Sequence, residues 1–238
     1  EWPLLLVPGS LEYTEAMTFT GFIGFVFNFP LRGIIWTCVT LRISPNALTV
    51  IGVLVNVVAA WELAHARFIS AGCWMIAANV FDYIDGKVAH ELKMVTAFGG
   101  FWDSVMDRIS DITLFIGLIA LYNDLGTGHR DYVLTTSLAM MFAVMTSYTR
   151  ARAESLIDKC KVGFMERPER IVLFMIGAFT NRMAAVLWVI LVLSVVTVAD
   201  RIFLTWRELQ AARGLAAVKA GTAPAPVPGS QPGSMKKM

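Results

Sequence analysis

The chain has 238 residues, 56% of them hydrophobic, with a mean hydropathy of +0.62, which is too apolar for an ordinary water-soluble domain. Its formal net charge of +2 offers no basic surface for nucleic acid, so no nucleic-acid partner is expected. Three cysteines, Cys38, Cys73 and Cys160, are odd in number and lack CxxC spacing, which argues against a disulfide framework or a zinc site.

Residues 1–16 are weakly patterned and broken by Pro3, Pro8 and Gly9; with no basic segment leading into an apolar run, no signal peptide is expected. Met17 to Leu41 is apolar but interrupted by Gly21, Gly24, Asn28, Pro30, Arg32 and Gly33, which suits an amphipathic helix lying in the membrane interface and kinked at Pro30. Ser44-Pro45-Asn46 reads as a helix start, and a first span follows from about Ala47 to Ala64. After a turn at His65, Ala66 and Arg67, a second span runs from about Phe68 to Leu92 with Asp82 and Asp85 in its last third. A short link leads to a third span from Gly99 to about Tyr122, with Asp103, Asp107 and Asp111 on one face near its start.

Asn123 to Asp131 is a loop containing His129, read as solvated. The fourth span runs from about Tyr132 to Tyr148 and continues as helix to Glu154. The fifth, from about Ile171 to Phe179, is short unless its helix begins at Pro168. Asn181-Arg182 turn the chain into a sixth span from Met183 to about Leu204, with an interruption expected at Asp200-Arg201. From about Ala211 the composition turns to Ala, Pro and Gly, and a disordered tail is expected. The expected fold is an all-α integral membrane protein of six transmembrane helices preceded by an interfacial amphipathic helix. Its divisions are an N-terminal segment at 1–45, a membrane domain at 46–207 and a tail at 208–238.

The second and third spans run in opposite directions from a short link, so both acid pairs fall at one membrane edge. Most Lys and Arg residues lie on that side, among them Arg42, Lys87, Lys93, Arg150, Arg170 and Lys236, whereas Arg67, Arg130 and Arg182 mark the opposite turns. The positive-inside rule therefore puts the acidic edge and both termini in the cytoplasm.

Ionised carboxylates are costly beside apolar segments, and four gathered together repel one another. One or two divalent cations held by oxygen ligands would compensate them, and an all-carboxylate set with no His/Cys cluster favours Mg2+ or Mn2+ over Zn2+. Gly86, beside Asp85, lets a bulky ligand approach the backbone. At the inner ends of three other spans lie Arg150, Arg170 and Arg201, suited to bidentate contacts with a phosphate and supplied with Glu154, Glu166 and Glu169 as alternative partners.

The run Asp82-x2-Asp85-Gly86-x2-Ala89, then Gly99-x3-Asp103-x3-Asp107, resembles the signature of the CDP-alcohol phosphotransferases, which displace CMP from a CDP-linked lipid with an alcohol. The departure is His90 in place of the family's usual Arg; an imidazole is charged only part of the time near neutral pH, which bears on donor affinity. The resemblance spans roughly residues 40 to 207 and implies that Asp82, Asp85, Asp103 and Asp107 bind metal and that Asp107 also accepts the acceptor's proton. It further implies a CDP-lipid site, for CDP-diacylglycerol or a similar lipid, made of Asn46, Ala47, Leu48, Thr49, Asp82, Gly86, Ala89, His90 and Thr96.

Ser147-Tyr-Thr-Arg150-Ala-Arg152-Ala-Glu154 and Glu166-Arg-Pro-Glu-Arg170 look like the phosphatidylinositol phosphate synthase branch. In that branch basic residues at the positions of Arg150, Arg170 and Arg201 bind the phosphate of inositol phosphate, and the family suggests a homodimer among membrane lipids. Two alternatives stand beside this: the same chemistry with glycerol 3-phosphate or another alcohol, and a catalytically weak membrane scaffold or lipid-binding member. A transporter is disfavoured because the acids cluster at one edge rather than at the midplane.

Overall fold

The computed structural model describes residues 33–219, helical throughout apart from the joints between helices. Among these residues lie α1 (33–40), α2 (Pro45–Ala64), α3 (Phe68–Glu91), α4 (Ala97–Asp124), α5 (Arg130–Glu154), α6 (Arg167–Phe179) and α7 (Met183–Lys219). A 3-10 turn at Thr127–His129 precedes α5. Residues 1–32, with the Pro30 kink and most of the expected interfacial helix, and residues 220–238 lie outside the described residues.

Local chemistry sets the helix ends. Pro45 sits in the first turn of α2, where its missing N–H costs nothing, and Ser44 takes the extended cap position without a side-chain bond. Thr96 caps α4, its Oγ1 accepting the Gly99 N–H at 3.0 Å. Four joints close alike, with a left-handed residue at Arg42 (φ 50), Ala66 (φ 58), Lys93 (φ 53) and Asn181 (φ 53). The next N–H reaches back five residues each time, as from Arg67 to Glu62 O at 2.9 Å and from Met94 to Ala89 O at 2.9 Å. The chain thus reverses within a few residues and lays successive long helices beside one another.

α2 packs on both α3 and α4, α4 on α5, α5 on α7, and α6 on α3 and α7. Leu63, Met75, Phe115, Phe174, Leu187 and Ile190 fill the centre, with Phe115 and Phe174 edge to face at 5.0 Å. A Cβ at Gly117 would collide with the backbone carbonyl of Ala60, so α2 and α4 touch main chain to main chain.

The outside of the bundle is apolar too: Leu54, Trp61, Ile69, Ile116, Leu134, Trp188 and Val192 are exposed. Among the described residues two helices, α2 and α7, are long and apolar enough to cross a membrane by length and composition. Helices α3, α4 and α5, at 24, 28 and 25 residues, match the roughly 30 Å hydrocarbon thickness in length but carry more charge.

Two expectations are corrected. α7 passes through Asp200-Arg201 without a break, because Arg201 turns inward to partners on α5 and the segment before α6 and leaves the helix ladder intact. The disorder expected from Ala211 gives way to helix as far as Lys219, in keeping with the Ala-rich run there.

Candidate active site

Helices α3 and α4 meet at the Lys93 joint, and the three- and four-residue spacings of their acids turn both pairs into one region. One carboxylate oxygen each from Asp82, Asp85 and Asp103 lies within 4.8 Å of the others. Hard cations bind oxygen at about 2.0–2.6 Å, so ligands across an ion stand about 4–5 Å apart, and this trio fits a divalent cation. Asp85, only 6% exposed, is oriented by α2: Thr49 Oγ1 donates to its Oδ2 at 2.6 Å. The same hydroxyl lies 3.2 Å from Pro45 O, but its single proton goes to the nearer, charged acceptor.

Asp107 stands outside the trio. Its Oδ1 pairs with Arg167 Nη1 at 3.0 Å, and that nitrogen also donates to Asp82 Oδ2. Arg167 Nε lies 3.9 Å from Asp111 Oδ1, so one guanidinium spans three carboxylates. The carboxylates of Asp107 and Asp82 thereby compensate a largely buried guanidinium.

Beyond Asp107 the arginines gather. Arg170, 2% exposed, directs Nε (3.1 Å) and Nη2 to Asp111 Oδ2, while its Nη1 is buried without a hydrogen-bond partner among the described residues. Arg201, 1% exposed, donates Nε to Val162 O at 3.0 Å, Nη1 to Thr146 O and Nη2 to Glu166 Oε1 at 2.9 Å. Arg150 donates Nη1 to the same Glu166 oxygen at 2.8 Å and Nε to Glu154 at 3.2 Å.

Two cavities flank the acids. One, of about 180 Å³, is lined by Asn46, Thr49, Asp85, Gly86, Ala89, His90 and Asp103. The other, of about 130 Å³, is lined by Asp107, Asp111, Arg150, Arg167, Arg170 and Arg201. Asp103 and Asp107, one turn apart on α4, thus face different chambers. A Cβ at Gly86 would meet no protein atom within 4 Å, so internal packing does not require glycine there and the space belongs to the cavity wall.

Most of the expected site residues come together, but four stand apart from the first cavity, Asp82 among them, which belongs to the acid trio without lining it. Leu48 is buried against Cys38, Ile84 and Val88 in a core cluster, since it lies about 200° around α2 from Asn46. Ala47 is exposed on the flank of α2. Thr96 serves as the α4 cap and touches the cavity only through Gly99. Two residues without an assigned role belong to the site, Arg167 and Asp111, and Glu166, expected as an alternative partner of the arginines, pairs with Arg150 and Arg201. The signal for Arg167 lay in the Glu-Arg-Pro-Glu-Arg run, because a helix starting at Arg167 puts it on the same face as Arg170.

The family model for CDP-alcohol phosphatidyltransferase matches residues 42–200. Over 176 residues the chain is 36% identical to the archaetidylinositol phosphate synthase of Methanothermobacter thermautotrophicus, covering 71% of this chain and 87% of the relative. It is 32% identical over 168 residues to the phosphatidylinositol phosphate synthase of Mycobacteroides abscessus, covering 66% and 75%. The crystal structure of Mycobacterium tuberculosis phosphatidylinositol phosphate synthase with CDP-DAG bound superposes with a TM-score of 0.68 at 27% identity, covering 74% of this chain and 93% of that one. A second structure of that protein, in complex with manganese and citrate, gives the same TM-score of 0.68. The paired carboxylates on α3 and α4, the two chambers they divide and these matches have one common origin: the chain belongs to the CDP-alcohol phosphatidyltransferase family.

Proposed function

We infer that the protein transfers a phosphatidyl or similar lipid phosphoryl group from a CDP-lipid to a phosphorylated polyol, most simply inositol 1-phosphate, releasing CMP. One observation carries this reading: the carboxylates lie between two chambers, one walled by glycines, Asn46, Thr49 and His90 together with the apolar Met94 and Val95, and one lined by arginines. A nucleotide-lipid pyrophosphate suits the first and a phosphate-bearing alcohol the second. The relatives' names, for archaetidyl and phosphatidyl lipids alike, support the same class of donor and acceptor.

Asp82, Asp85 and Asp103 would hold Mg2+ or Mn2+, which when bound neutralises the pyrophosphate and stabilises charge on the departing CMP. Thr49 fixes the Asp85 carboxylate for that task. Arg167 balances charge on the Asp82 and Asp107 side, which favours one ion over two. The Asp107 Oδ1 is turned to Arg167, leaving Oδ2 to accept the proton of the attacking hydroxyl. A carboxylate is a weak base, and its contribution comes from proximity to the developing alkoxide. Asn46, Gly86, Ala89 and His90 would seat the CDP group, and Arg150, Arg170 and Arg201 the acceptor phosphate.

In the same reading α2 to α7 are six transmembrane helices behind an interfacial helix, with residues 46–207 as the membrane domain. The apolar outer surface supports this. The abundance of Lys and Arg at the acidic edge supports a cytoplasmic active site. The bacterial and archaeal relatives support a prokaryotic plasma membrane, and the family resemblance a homodimer.

The test is CMP release by purified protein from CDP-linked diacyl and diether lipids, with Mg2+ or Mn2+ and with inositol 1-phosphate, inositol, glycerol 3-phosphate or no acceptor. Release that depends on inositol phosphate and disappears in Asp107→Asn supports the assignment. Equal release with glycerol 3-phosphate alone would move the acceptor, and none with any acceptor would favour a scaffold.

A further inference from the structure

The arginine chamber already contains an anion belonging to the protein. Glu166 Oε1 bridges Arg150 Nη1 at 2.8 Å and Arg201 Nη2 at 2.9 Å, the arrangement one oxygen of a bound phosphate would adopt. Arg201 is 1% exposed, and its other partners, the carbonyls of Thr146 and Val162, are neutral. Glu166 is therefore its one charged partner among the described residues. A buried guanidinium deprived of its counter-ion is strongly disfavoured, so Glu166 can yield this seat only to another anion.

Glu166 is built to yield. Its side chain is 39% exposed, and although it stands at the N-cap of α6 it makes no capping bond. Arg150 keeps Glu154 as a partner when Glu166 leaves. An incoming phosphate also finds the orphaned Nη1 of Arg170, which Glu166 does not engage.

We propose that Glu166 is a specificity-determining residue: a resident carboxylate that a phosphate monoester dianion displaces from Arg150 and Arg201 and that a neutral polyol cannot. This deepens the acceptor assignment above and rests on it for the identity of the substrate. A hydroxyl offers no charge in exchange for the carboxylate, whereas a phosphate monoester brings about two charges and three strong acceptor oxygens for the one charge it replaces. The chamber is thereby closed to unphosphorylated alcohols even though it contains hydrogen-bond donors.

The experiment measures inorganic phosphate binding by calorimetry to the full-length wild type, Glu166→Gln and Glu166→Ala in detergent micelles. Alongside it, the kcat/KM ratio of inositol 1-phosphate to inositol is measured in the CMP-release assay. Glu166→Gln keeps an acceptor for both arginines but no charge, so phosphate should bind about tenfold tighter, or 1.4 kcal/mol. Inositol, which the wild type excludes, should become a measurable acceptor in Glu166→Gln. If Glu166 only held the arginines in place, Glu166→Ala would bind phosphate more weakly and Glu166→Gln unchanged; either result overturns the proposal, as does no phosphate binding by any of the three. Because phosphate binding needs no turnover, tighter binding in Glu166→Gln beside a wild type that ignores inositol phosphate would support the displaced carboxylate and reject only the acceptor assignment.

Discussion

Replacing Thr49 with valine removes one hydrogen bond at almost constant volume and tests whether α2 helps to build the proposed metal centre, whose ligands would all come from α3 and α4. The hydroxyl donates to Asp85 Oδ2 at 2.6 Å in a buried setting, and Asp85 itself is 6% exposed. A buried hydrogen bond to a charged group contributes about 1.5–3 kcal/mol. At 1.4 kcal/mol per decade that is roughly 10- to 150-fold in ion affinity, and loss of an orienting partner behind a metal ligand typically costs about 10–100-fold. Mn2+ titration of the purified protein, read by calorimetry, should therefore show Thr49→Val weakened by at least tenfold. Thr49→Ser, which keeps the hydroxyl, should stay within a few-fold of wild type. Equal Mn2+ affinity for Thr49→Val and wild type would refute the argument, and weakening in both variants would point to lost packing by the γ-methyl instead.

Asp111→Asn strips Arg170 of its charged partner in a site where both residues are nearly inaccessible, and should destabilise the fold by about 3–5 kcal/mol in chemical denaturation, with a raised KM for the acceptor; an unchanged unfolding midpoint would contradict the pairing. Gly117→Val should cost at least about 1–3 kcal/mol, because the new Cβ meets the Ala60 carbonyl and one helix must shift; a melting temperature equal to wild type would show that α2 and α4 separate freely. His90→Arg adds a permanent cation to the wall of the first chamber and should lower the KM for CDP-lipid by at most about fivefold, since exposed charge pairs contribute about 0.2–1 kcal/mol; a raised KM would mean that His90 is itself a fitted contact.

The trio of Asp82, Asp85 and Asp103 could be read from sequence because helical periodicity and a joint as short as Leu92 to Thr96 bring the acids of α3 to the first acid of α4, whereas Asp107, expected as a fourth ligand, stands apart against Arg167. The helix order followed from the turn residues and apolar runs for the same reason. What escaped was decided by partners distant in sequence. Asp200-Arg201 looks like a break in a span until Arg201 meets Glu166 and the carbonyls of Thr146 and Val162. Arg167 has no role in the linear sequence until α6 starts at that residue and carries it into the carboxylates of α3 and α4. Leu48 and Asn46 are neighbours in sequence, yet α2 sends one into a core cluster and the other to the cavity, a distinction a linear motif does not record.

The single helical turn between Asp103 and Asp107 acts as a gauge. Four residues of α-helix advance about 6 Å along the axis, so the backbone of α4 sets how far apart the two chambers open. One residue inserted between them would swing Asp107 by about 100° and disconnect the chambers, so this spacing has no tolerance for length change. The first chamber draws on α2, α3 and the start of α4, whereas the basic wall of the second, Arg108 of α4 apart, comes from α5, α6 and α7. Under the proposed assignment of the chambers, substitutions on these three helices would alter acceptor choice while the first chamber and the ruler between them stay as they are.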